Sequence, residues 1–137
     1  MENFRCAFSA TLITGDFGCR HAVAVTRRGG PDIACAVQAA HERCEQLFER
    51  LKSAALPAFG VEDDLNSMPH SVLVKIQYGG LAGLQQALDA GSGPDARVAD
   101  IDALVARAVD GYGGADGIPV ERFVEAMTAF KLRRRSR

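Results

Sequence analysis

The chain has no excess of charge of either sign: 16 Lys and Arg stand against 17 Asp and Glu, a net of -1. That balance excludes a global electrostatic pull toward nucleic acid or an anionic membrane. Long apolar runs are missing too. The longest are about five residues, against the roughly 20 that a membrane-spanning helix needs. The opening residues Met1 to Cys6 carry an acid at position 2 and no basic run before an apolar stretch, so no secretory signal is expected. Histidine is scarce, with three in the chain. No Ser sits in Gly-x-Ser-x-Gly, and neither His-Glu-x-x-His nor Cys-x-x-Cys occurs. The common hydrolase, zinc-protease and dithiol signatures are therefore unfilled, and the sequence leans away from an enzyme.

What is present is ordinary globular composition, 47% hydrophobic and 24% charged residues over 137 positions. That is enough for a core without staples, and we expect one domain over residues 1–132 followed by a basic tail over 133–137. The four cysteines, Cys6, Cys19, Cys35 and Cys44, all fall in the first third of the chain. A chain that builds its own core has little need of disulfides, so a reducing, cytoplasmic setting is expected. Arg outnumbers Lys 13 to 3, a bias that suggests a GC-rich bacterial genome.

Patterning predicts an α+β fold in the order β-β-α-β-α-α-α. Phe4 to Leu12 and Cys19 to Arg27 both alternate apolar and polar or small residues, the mark of half-buried strands. Gly15-Asp16 between them suits a tight hairpin turn. Gly29-Gly30-Pro31-Asp32 reads as a helix start. Ile33, Val37, Ala40, Cys44, Leu47, Phe48 and Leu51 then mark one helical stripe, giving a long helix from Pro31 to about Ala55, ended by Pro57. His70 to Tyr78, apolar and β-branched, reads as a third strand broken by Gly79-Gly80. Shorter helices follow around Leu81, Leu84 and Leu88, then Val98 to Ala108, then Val120 to Met127. The long helix is expected on one face of a small antiparallel sheet. Ala7, Ser9, Ala22, Ala24 and Thr26 on the other face are small and barely charged, so cover by the C-terminal helices or a second subunit is expected there.

Few residues could carry chemistry. Cys19 and His21 share a strand face, and His41 and Cys44 share a helix face. A helix running back along the second strand would bring the pairs to similar levels, and two Cys with two His suit tetrahedral zinc. The simpler reading is two core cysteines and two edge histidines. Cys35 falls on the polar side of the predicted helix near its N-terminus, an environment that can activate a thiol. Arg27, Arg28, Gly29 and Gly30 precede that helix and are a candidate anion site. Gly79-Gly80-Leu81-Ala82-Gly83 lacks dinucleotide-binding spacing, and Asp110 to Glu121 lacks the carboxylates and central Gly of a calcium loop. Lys131 to Arg137 holds five positive charges, and taking them from the net -1 leaves the rest of the chain at -6. No motif calls for a cofactor, zinc being the alternative tied to the Cys/His set. These features predict a non-catalytic accessory protein acting through contacts with a protein partner or a second copy. A metal- or thiol-dependent protein is the first alternative, and nucleic-acid binding through the tail the second.

Overall fold

In the computed structural model, the structure describes residues 4–28, 30–59, 70–89 and 98–130. The acidic stretch 61–69, the Gly-rich joint at 91–94 and the basic tail lie outside the described residues, as does Gly29. The class is α+β. Strand β1 (Phe4–Arg5) and a one-turn helix α1 (Ser9–Ile13) precede strands β2 (Ala22–Arg27) and β3 (Gly30–Cys35). Four helices follow: α2 (Gln38–Ala55), α3 (His70–Leu88), α4 (Ile101–Tyr112) and α5 (Val124–Ala129). Short 3-10 turns cover Leu56–Phe59, Ala115–Gly117 and Val120–Phe123.

The sheet is antiparallel, in the order β1-β3-β2. This moves the hairpin from where the pattern put it. The predicted partner strand Phe4 to Leu12 is strand only at Phe4–Arg5, and Ser9–Ile13 is helical. Phe8 and Thr11 are fully buried, and Leu12 packs against the core. That i, i+3, i+4 set fits one helical turn as well as alternation fits a strand, the ambiguity of any short apolar run. Gly15 does not turn a hairpin. It takes φ +81° just past α1, and its N–H returns to the Leu12 carbonyl at 3.1 Å, closing the helix as a left-handed glycine does.

The true hairpin joins β2 to β3, with Arg27 opposite Gly30 and Ala22 opposite Cys35. The long helix therefore begins at Gln38 rather than Pro31. Pro31 is tolerated in β3 because β1 reaches only as far as Ala34 and Cys35, so β3 has a single neighbour at Pro31 and no ladder bond needs its missing N–H. Ala24 and Thr26 on β2 are exposed, while Ala7 and Ala22 line a small cavity together with Ile101 and Asp102 of α4, so the C-terminal helices reach only the Ala22 end of that face. They pack on α2 and on one another instead.

The predicted third strand is the first half of α3, which runs unbroken through Gly79-Gly80. Residues 76–84 are all buried, with α1, α2, α4 and α5 around the helix. A helix buried on every side shows no amphipathic period, so its apolar run cannot be told from a strand. The core is built from Leu47 and Leu51 of α2, Ile76, Leu81 and Leu84 of α3, Ile101 and Val105 of α4, and Phe123 and Met127 at the C-terminal end.

Candidate functional site

The β3 end, the segment entering β2 and the first turns of α2 and α4 meet at one place. Backbone bonds set it up. Cys6 N–H donates to the Ile33 carbonyl at 3.1 Å, Ala36 N–H to the His21 carbonyl at 3.0 Å, and Gly18 exchanges bonds with Val98 and Ile101 at 3.0 and 2.8 Å. The cysteine-bearing segments 6, 18–21 and 33–36 are thereby held beside the N-terminus of α4.

A cavity of about 10 Å³ lies among them, the room of a single water-sized body. Cys6, Cys19, Cys35, Cys44, His21 and His41 all line it. These are all four cysteines of the chain and two of its three histidines. Asp102 is the charged group in the wall, and alanines and Ile101 make the rest. All four thiols are free.

Burial dominates the thiols' chemistry. It pushes Cys6 up to about 11 against the pull of a hydrogen bond from the Phe8 N–H. Burial raises Cys44 far more, with the neighbouring thiols adding to it. Burial also raises Cys19, although the backbone N–H groups of His21 and Asp102 both donate to its sulfur and oppose the shift. The Cys35 thiol donates to the Val37 carbonyl at 3.3 Å. Protonated thiols are poor nucleophiles, so Cys6, Cys19 and Cys44 are not primed for attack on a substrate.

Asp102 is the electrostatic hub. It is buried in the first turn of α4. Arg43 Nη2 donates to its Oδ1 at 3.0 Å, His21 Nε2 lies 3.3 Å from Oδ2, and Arg20 Nε lies 3.6 Å from the same oxygen. Arg20 also donates from its backbone N–H and its Nε to Asp100, at 3.0 and 2.7 Å. Burial works against ionising Asp100, but these Arg20 bonds outweigh it and hold the carboxyl below its usual range. A buried carboxylate needs such partners, and here they come from α2 and the entry to β2.

The predicted set Cys19, His21, His41 and Cys44 is thus brought together, and with it two cysteines placed elsewhere from the sequence. Cys35 is not on a polar helix face: it is buried at the end of β3. Its neighbours extend the helical stripe, but backbone pairing with β1 and β2 takes precedence. Cys6 could have been added from the clustering of all four cysteines in the first third of the chain. Asp102 had no sequence signal, because its Arg43 partner is 59 residues away. Arg27 and Gly30 close the β2–β3 hairpin instead of opening a helix. The free helical N–H groups that would draw an anion are therefore absent at that turn. Among the described residues, no group of three or more His, Cys, Asp or Glu side chains stands at metal-ligand spacing. No family model, curated protein or solved structure matches the chain.

Proposed function

We propose that this protein binds a single thiophilic metal ion of the zinc class through cysteine thiolates of the 6/19/35/44 cluster. The observation that carries the reading is the convergence of every cysteine and two histidines on one cavity. Its size supports one ion rather than a metal–sulfur cluster or an organic ligand, since ligand pockets run to about 300–1,000 Å³. Mixed thiolate and imidazole donors suit zinc. Binding is an exchange: each ligating Cys–SH releases one proton as its sulfur bonds the cation, so two thiolates neutralise a divalent ion and a third leaves the site at -1. The donors do not stand at ligand spacing beforehand.

The reading as a protein-contact accessory has less behind it. The large exposed hydrophobics among the described residues are Ile13 and Val37, which are single side chains rather than a patch. The test is elemental analysis of protein purified without chelator, followed by Zn²⁺ titration of the freed thiols. One zinc per chain, with loss of free-thiol reactivity on loading, is the expected outcome. No stoichiometric metal, together with Zn²⁺ affinity weaker than about 1 μM, would overturn the proposal.

A further inference from the structure

Independently of the metal reading, we infer that the free edge of β2 pairs antiparallel with β2 of a second copy of this chain, about a two-fold axis through Val25. Among the described residues β2 is an edge strand, with β3 its one strand neighbour, and it packs chiefly on β3. It runs from Ala22 to Arg27 in one-to-one register, with no bulge. Folded proteins blunt such edges with Pro, Lys, a bulge or a covering element. β2 has no Pro, Lys or bulge, and Ala24 and Thr26 in its middle are exposed. The other side of the sheet is blunted twice over: β1 is two residues long, and β3 carries Pro31 beyond it. The contrast marks β2 as the edge left open for pairing.

The direction of the main-chain groups sets the register. The Ala36 N–H donates to the His21 carbonyl, and the Cys6 N–H to the Ile33 carbonyl. Main-chain groups alternate sides along an antiparallel strand. His21, Val23 and Val25 therefore bond toward β3, and the N–H and C=O of Ala24 and Thr26 point to the free edge. Pro31 lies opposite Thr26, with its missing N–H on the β1 side, as the same alternation requires. The Ala22 N–H is already taken by the Cys19 carbonyl at 3.2 Å, so the open donors begin at Ala24. An axis through Val25 sets Ala24 opposite Thr26 of the second copy and Thr26 opposite its Ala24. The outward N–H and C=O groups of both residues are then used in both copies. The same axis sets the exposed Arg28 opposite Ala22 of the second copy, so the two arginines do not meet. That strand end carries Asp100, which accepts from the Arg20 N–H at 3.0 Å. Donors, acceptors and charges all match under one two-fold axis, which favours a second copy over an unrelated strand.

Sedimentation velocity of the full chain over a concentration series, in reductant and chelator, tests this with no contribution from metal. The weight-average mass is expected to rise toward twice that of the chain. Ala24→Pro removes an outward N–H and spares the β3 ladder. It should weaken dimerisation roughly 10–100-fold, since each copy loses a hydrogen bond, and leave the circular dichroism spectrum unchanged. Val25→Cys reads the position of the axis. Its two Cα atoms would stand about 4.5 Å apart, a distance that a disulfide spans. Mild oxidation with diamide should then give a covalent dimer that neither the parent chain nor Val23→Cys gives, the two residues at 23 lying roughly 13 Å apart. A parent chain that stays monomeric at about 1 mM overturns the inference and leaves the edge to a strand of another protein. Dimers that persist in folded Ala24→Pro, or that Val25→Cys links no better than Val23→Cys, overturn it as well. If Ala24→Pro does not fold, the cross-linking comparison decides alone.

Discussion

Alanine at position 79 puts the helical reading of residues 70–88 to a direct test. A Cβ at Gly79 would lie 2.5 Å from Met127 Cα, 2.6 Å from the Ala126 carbonyl oxygen and 2.9 Å from its carbon. These are backbone atoms, so no side chain can swing aside. Restoring ordinary carbon contacts of about 3.5 Å moves α5 away by roughly 1 Å. Met127 is fully buried, and a side chain of that size makes some 40–60 contacts worth about 0.1–0.2 kcal/mol each, of order 6 kcal/mol in all. A gap of about 1 Å forfeits a quarter to a half of that, or about 2–3 kcal/mol. Alanine returns about 1 kcal/mol through helix propensity. The net loss is about 1–2 kcal/mol, which lowers Tm by roughly 4–8 °C in a chain of this size. Gly111, in α4, is the control: nothing lies within 4 Å of its would-be Cβ. Gly111→Ala should therefore raise stability by about 0.5 kcal/mol, less than the full propensity gain so near the helix end. Thermal and denaturant unfolding followed by circular dichroism reads both. If Gly79→Ala is as stable as Gly111→Ala, α5 does not pack on α3 at this point and the helix-through-glycine reading fails.

Two further outcomes follow from groups away from the cavity. Burial pushes Tyr78 up to about 12, with the Asp16 contact adding to it and the Thr14 bond opposing. Its contribution to stability is complete below its unfolded value near 10 and lost as pH rises toward about 12, so alkaline unfolding of Tyr78→Phe should lack the Tyr78 step expected of the parent chain. Arg50 donates through Nη1 to the carbonyls of both Ala115 and Ile118. Arg50→Ala should cost about 2 kcal/mol in denaturant unfolding and speed amide exchange around residues 115–118, and unchanged exchange there would refute the role.

The legible parts of this sequence are those where one face meets solvent. Ala40, Cys44, Leu47, Phe48 and Leu51 recur at helical spacing and are buried in α2. Ile101, Val105 and Ala108 likewise form the buried stripe of α4. The failures occur where that contrast vanishes. Residues 76–84 are enclosed on all sides, so α3 offers apolar content without a period. Ile33 happens to extend the α2 stripe in register, and only the pairing of β3 with β2, a non-local fact, separates it from the helix, while Val37 caps α2 and is exposed rather than part of the inner stripe. The sequence pattern groups Cys19, His21, His41 and Cys44 through a helix starting at Pro31. The structure groups the same residues by another route, with β3 standing between β2 and the start of α2.

Simple packing accounts for part of the cavity but not all of it. Cys35 and Cys44 are buried, and a free thiol packs as a small hydrophobe without needing a ligand role. Cys6 and Cys19 are only half-buried and could fill the same purpose. A buried carboxylate in the same wall is another matter. Removing Asp102 from water costs several kcal/mol, which its Arg43 contact and the nearby His21 and Arg20 offset only in part, so an apolar residue at 102 would pack as well or better. Asp102 also stands in the first turn of α4, where a carboxylate complements the helix dipole, and it ties that helix to Arg43 of α2 and to Arg20 and His21 at the entry to β2.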